Sequence, residues 1–172
     1  MRSLSIAGVV VLVLADVTLA GPPPELEPLS FLIGEWQASG AGQPGVGTGT
    51  AVFSRQLQER VILRTSFAEY PPAAGTPASR HDDLMVVYAA PGGIQADYYD
   101  NEGHVIRYRV RSPAAGQAVF VSEASADEPR FRLTYRLEAG MLRGEFAVAP
   151  PGVPEAFRPY LTWDSTKKSL GK

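Results

Sequence analysis

Cysteine is absent from all 172 residues. No disulfide can form and no thiolate can ligate zinc, so packing alone must hold the fold together. An excess of positive charge is missing too. Sixteen basic residues face 18 acidic ones, a net charge of −2, and a nucleic-acid partner would need a basic face. Only two histidines, His81 and His104, are available for acid–base or metal chemistry. After the first twenty residues no apolar run is long enough to span a bilayer, and no amphipathic helix is long enough to cover a sheet. Gly40 to Gly49 is rich in glycine but lacks the lysine and the strand-to-helix context of a phosphate loop, and no Gly-x-Ser-x-Gly elbow occurs anywhere.

What is present begins with the layout of a secretory signal peptide: Arg2, the apolar run Ile6 to Ala15, and Thr18-Leu19-Ala20 before Gly21. Cleavage after Ala20 removes one basic residue (Arg2) and one acidic (Asp16), and no cysteine follows it for a lipid anchor. The expected organisation is a signal peptide over 1–20, a Pro-rich linker over 21–28, one domain over 29–165 and a flexible tail over 166–172. The expected location is the periplasm or the medium, with no membrane span left after cleavage. About 150 residues suffice for one domain with a real core.

The stretch Leu84 to Val110 organises the rest. It holds three apolar and aromatic runs separated by Ala90-Pro91-Gly92-Gly93 and by Asp100-Asn101-Glu102-Gly103-His104, which reads as consecutive antiparallel strands joined by hairpins. Around it, strands are expected at Gly34 to Gly40, Thr50 to Ser54, Arg60 to Glu69, Asp83 to Ala90, Gly93 to Asp100 and Val105 to Ser112. Ala118 to Ser122, Arg130 to Leu137, Met141 to Ala149 and Tyr160 to Asp164 complete the set. Pro28 to Leu32 reads as one helical turn, Gly40 to Gly49 as a mobile loop or a hairpin of weak register, and Tyr70 to Ser79 as a Pro-rich loop. Period-two alternation is cleanest where Ile106, Tyr108 and Val110 oppose Arg107, Arg109 and Arg111, and where Phe131, Leu133 and Tyr135 oppose Arg130, Arg132 and Arg136. About ten strands with one wet and one dry face must curl up or split in two. The expected fold is all-β, a single antiparallel up-and-down barrel, with a β-sandwich as the alternative.

Three clusters carry the candidate chemistry. In the turn Asp100 to His104, His104 is the candidate base and Asp100 the carboxylate that orients it; against this, Asp and Asn bond their own backbone in hairpin loops, Gly103 supplies a positive φ, and Glu102 points into water. His81-Asp82-Asp83 could reach a metal together with His104. Neighbours on a strand point to opposite faces, so only His81 and Asp83 could share one ion; the preferred reading is a solvated strand entrance, with no metal and no cofactor. Tyr88, Tyr98, Tyr99, Tyr108 and Tyr135, with Phe67, Phe131 and Phe146, form a candidate aromatic pocket, to which His81, Asp83 and His104 would add polarity at the mouth. Ordinary core filling is the competing account.

Phe31-Leu32-Ile33-Gly34-Glu35-Trp36, His81-Asp82-Asp83-Leu84-Met85 and Tyr99 to Ile106 together resemble an uncharacterised family of exported bacterial domains with a lipocalin-like (calycin) barrel. Gly34-Glu35-Trp36 followed by a Gly-rich stretch is also similar to the opening of lipocalins and of the ten-stranded nitrobindins. The resemblance implies that Trp36 closes the barrel floor and that the cup takes a small, mostly apolar molecule, with no activity specified. With no catalytic motif in the chain, the leading expectation is a small hydrophobic or aromatic ligand and no catalysis. Nitrobindins hold haem through a histidine on a late strand, and no histidine follows His104 here. An enzyme (isomerase, cyclase or hydrolase) using a His acid/base in the same cup is the first alternative, and a structural or protein-interaction module of the cell envelope is the second.

Overall fold

Alternation along the chain is realised as ten strands: β1 (Gly34–Gly42), β2 (Gly45–Gln56), β3 (Val61–Tyr70), β4 (Ser79–Ala90), β5 (Gly93–Asp100), β6 (Val105–Ala114), β7 (Gln117–Ser122), β8 (Arg130–Glu138), β9 (Met141–Ala149) and β10 (Arg158–Lys167). The structure is a computed structural model and describes residues 21–73 and 75–168. The expected signal peptide, residues 1–20, lies outside the described residues, as do 169–172 of the expected tail. Each strand pairs antiparallel with its sequence neighbour, and β1 pairs with β10 from Trp36↔Lys167 to Gly42↔Leu161, so the sheet closes into an up-and-down barrel. The sandwich alternative is thereby set aside. Among the described residues no helix is long and apolar enough to cross a membrane.

The strands are longer than expected where side-chain identity is a poor guide. The Gly-rich stretch forms a tight hairpin with a single register, from Trp36↔Ala51 to Gly42↔Gly45. Glycines cost strand stability when isolated, but here β3 and β10 hydrogen-bond to either side of the hairpin and fix it. β4 begins at Ser79, four residues before the expected Asp83, and β10 runs through Lys167, past the expected end at Asp164. Shorter signals are read correctly: the β8–β9 turn uses left-handed Ala139 and Gly140, φ 50° and 81°, the pattern of a two-residue hairpin loop.

The segment expected as a linker and one helical turn is a 3-10 helix, Pro24–Leu32. Pro24 opens it and Glu25 and Glu27 sit in the first turn, where acidic charge complements the helix dipole. Three residues per turn align every third side chain, and Leu26, Leu29 and Leu32 follow that spacing with no exposed surface. They stopper one end of the barrel. Their neighbours in the core include Trp36, Phe53, Ile62, Val87, Ala96 and Phe120, and burying each leucine stabilises by about 1.5–3 kcal/mol. The Trp36 indole N–H donates to the Leu32 carbonyl at 2.7 Å and ties the helix to β1.

At the opposite end lie the β1–β2 hairpin, the Pro-rich β3–β4 loop, the turn Asp100 to His104 and the two longer loops after β7 and β9. The β9–β10 loop folds back onto the outer face. Arg130 and Arg132 approach the Phe157 ring, centroid distances 5.8 and 4.7 Å, and Arg130 donates to the Ser122 carbonyl at 3.0 Å and pairs with Glu155. For that reason Arg130, expected on a wet face, is 6 % exposed.

Candidate functional site

Above the leucine stopper the barrel is hollow. A cavity of about 710 Å³ opens at the loop end, and its walls differ in chemistry. β1 and β2 contribute Ala38, Gly40, Gly47, Gly49 and Ala51, which have almost no side chain, so space is left there. β8 to β10 contribute an apolar wall: Phe131 stacks on Phe146 with centroids 5.7 Å apart, and Trp163 meets Tyr135 edge-on at 6.0 Å. Trp163 lies so close over Gly144 that any Cβ there would collide with the indole.

β3 to β5 supply the polar wall. The inward-facing residues of β4 alternate as His81, Asp83, Met85 and Val87, and those of β5 as Ala96, Tyr98 and Asp100. Arg64 on β3 faces the same interior, and its guanidinium donates to the Tyr135 hydroxyl and to Asp83. The Arg64 and Asp83 side chains are only 7 % and 8 % exposed, and Ser66 donates to Asp83 at 2.6 Å. Burial opposes the charge on Arg64, but the Asp83 carboxylate more than offsets this and holds its pKa above the ordinary value. The Arg64 Nε is buried without a hydrogen-bond partner.

Nearer the mouth, the Tyr98 hydroxyl lies 3.3 Å from Asp100 Oδ2 and 2.9 Å from His81 Nε2. His81 Nδ1 is 3.0 Å from Glu102 Oε1, and His104 Nδ1 donates to Asp100 Oδ2 at 2.8 Å. Asp100 Oδ1 accepts the backbone N–H groups of Glu102 and His104, at 3.0 and 2.9 Å. The turn is fastened to β4 by Asn101, whose side chain accepts from the Asp82 N–H and donates to the Arg80 carbonyl. Burial works against ionised Asp100, yet the N–H groups and ring of this turn outweigh it and keep its pKa below the usual carboxylate range. Burial, the largest influence in each case, raises the Tyr98, Tyr108 and Tyr135 phenols above their normal range, so these tyrosines are neutral.

In the turn Asp100 to His104 the two carboxylate oxygens of Asp100 divide their partners. Oδ1 serves the backbone, as in any hairpin loop, while Oδ2 serves the cavity. Glu102, expected to point into water, is 57 % exposed but directs its carboxylate at His81. Of the expected ligand set, Tyr98, Tyr108, Tyr135, Phe131, Phe146, His81, Asp83 and His104 border the cavity. Asp83 sits inside rather than at the mouth. Phe67 also lines the cavity, at its rim, whereas two residues face the other way. Tyr88 and Tyr99 alternate with inward Val87 and Tyr98; Tyr88 donates to Asp97 on the outside at 3.2 Å, and Tyr99 is 44 % exposed. The Phe67 ring, opposite in parity to Arg64 and Ser66, lies at the rim under the Arg80 guanidinium, 4.1 Å from its centroid. Arg64 is the residue that sequence reasoning missed.

Comparison with family models and with curated proteins returns no match. Among solved structures the chain is similar to the crystal structure of Rv2717c from M. tuberculosis, with TM-score 0.60 and 15 % identity over 86 % of this chain and 99 % of that one. At that identity the likeness establishes the fold, a ten-stranded antiparallel barrel.

Proposed function

We propose that this protein is an exported, lipocalin-like barrel that binds a small molecule with a flat apolar body and a polar edge. The observation that carries the reading is the cavity of about 710 Å³, within the range of small-molecule sites, whose aromatic wall on β8–β10 faces a hydrogen-bonding wall on β3–β5. Small residues on β1 and β2 keep it open where a structural barrel would be filled. Trp36, buried at the closed end and bonded to Leu32, supports kinship with lipocalins and nitrobindins. The charge layout of residues 1–20 supports export, which N-terminal sequencing of the cell-envelope form would check.

Nile red, a planar neutral dye, is a suitable probe. Saturable, stoichiometric fluorescence enhancement is the expected result, and Ala38→Phe, which places a ring in the hollow, should weaken it at least tenfold while the far-ultraviolet circular dichroism is unchanged. Enhancement that never saturates, or that ignores Ala38→Phe, would sink the proposal.

A second reading, acid–base chemistry at the mouth, is favoured by one specific contact: His104, 61 % exposed at the cavity rim, donates to Asp100. It requires a ligand proton within about 3.2 Å of a histidine nitrogen. A ligand-bound crystal structure with neither histidine in reach would remove it.

A further inference from the structure

We propose that the mouth of the barrel holds one divalent transition-metal ion, bound by His81, Asp100 and Glu102. These residues come from three places, β4, the end of β5 and the following turn, and one donor atom from each lies within 4.8 Å of the other two. Where the separations are resolved by contact, they suit a shared ion. His81 Nδ1 and Glu102 Oε1 are 3.0 Å apart, and two ligands at about 2.0–2.1 Å from zinc subtend close to a right angle at that spacing. One imidazole with two carboxylates is a donor set for zinc or another borderline ion rather than for calcium or magnesium, which take oxygen alone.

Both ring nitrogens of His81 are engaged, Nε2 2.9 Å from the Tyr98 hydroxyl and Nδ1 3.0 Å from Glu102 Oε1. The Tyr98 proton can go to His81 Nε2 or to Asp100 Oδ2 at 3.3 Å, so a neutral ring can donate Nδ1–H to Glu102 without an ion. A metal ion would take the place of that proton between the imidazole and the carboxylate. No guanidinium competes for the position. Arg64 is committed to Asp83 and Tyr135, and Arg80 is turned outward to Asp82 and Glu69.

The donor groups are also held in place before any ion arrives. With an ion on Nδ1, Nε2–H would donate to the Tyr98 oxygen 2.9 Å away, the far-nitrogen hydrogen bond that orients histidine in metal sites generally. Two backbone N–H groups clamp Asp100 Oδ1 and leave Oδ2 directed inward, where His104 Nδ1 at 2.8 Å steadies it. Three protein ligands leave further positions open toward the cavity, and a ligand's polar edge could take one. The site does not depend on the cavity being occupied.

The purified protein, freed of any affinity tag, stripped with EDTA and exchanged into buffer, is titrated with Zn²⁺ by calorimetry, and metal retained after gel filtration is measured by mass spectrometry. One zinc per chain is expected. His81→Ala and Glu102→Gln should each weaken zinc binding by at least about tenfold, and Tyr98→Phe by a smaller factor of about 10 or less, whereas Glu69→Gln on the outer face should leave it unchanged. Substoichiometric retention overturns the proposal, and so does zinc binding indifferent to Glu102→Gln. Because Glu102 is largely exposed, that variant keeps the test decisive should His81→Ala not fold. Dye binding in the cavity is read separately, so failure of the metal site and failure of the ligand reading are distinguishable.

Discussion

The two ends of this barrel solve opposite problems. At the closed end, Leu26, Leu29 and Leu32 meet Trp36 and Phe53 with 0–2 % of their surface exposed, and the buried indole has its hydrogen bond. At the open end, a buried charged pair, a buried carboxylate and three phenols surround empty space. The first arrangement is what burial of apolar surface favours. The second is what a chain does not adopt for stability alone, since buried ion pairs are often no better than apolar replacements. Stability is concentrated below and recognition above, within the same ten strands.

The comparison can be broken most forcefully at Arg64. Asp83→Ala leaves its guanidinium buried with only Tyr135 for company, and should cost about 3–5 kcal/mol, measured by urea unfolding. Replacing both partners, Arg64→Met with Asp83→Leu, should return most of that stability while reducing Nile red selectivity for polar-edged competitors. If the double variant is as unstable as the single one, the open end contributes more to stability than the contrast allows.

Leu29→Ala tests the other end. A loss of about 2–4 kcal/mol is expected from the vacated space, with dye affinity at the mouth unaltered once the folded fraction is accounted for. A matching loss of affinity would mean that the two ends are coupled.

Acid pH sharpens the contrast by a smaller amount. Asp100 has its folded pKa below the unfolded value, so its contribution is fully present above about pH 4 and is lost as pH falls through the folded pKa. The stability gap between the natural chain and Asp100→Asn should therefore shrink on acidification below that point, whereas the gap for Leu29→Ala should be less sensitive. An Asp100→Asn gap that widens in acid would reverse the sign.

How much of this was legible beforehand follows from the same contrast. Strand number, the barrel and most turns could be read because alternation and Gly or Asn turn signals are local. Which face is inside is not local. Val61, Leu63 and Phe67 look like the core face of β3, yet Ile62, Arg64 and Ser66 are the ones turned inward, because β4 offers Asp83 to meet Arg64. An arginine between apolar neighbours reads as solvated until its partner, 19 residues away, is known. The leucines at 26, 29 and 32 carry a signal, a spacing of three, but Pro22 to Pro24 read as a tether. The sequence shows the mouth cluster as two motifs, with His81, Asp83 and His104 expected to meet. Only the β4–β5 pairing of Asp83 with Asp100 brings them together.

Barrel closure by β1 and β10 also has a temporal meaning. Trp36 is bonded opposite Lys167, and Lys168 reaches back to Glu35 through both backbone and side chain, each at 2.8 Å. The seam thus joins the first strand to the last. While the polypeptide emerges, β1 has one flank covered by β2 and the other bare, an edge that invites pairing with foreign strands. Nearly the whole chain must be released before that edge is covered. Such distant partners make folding slow compared with helical proteins of equal size, and a holdase that shields the Gly-rich first hairpin until β10 arrives would have the most to protect.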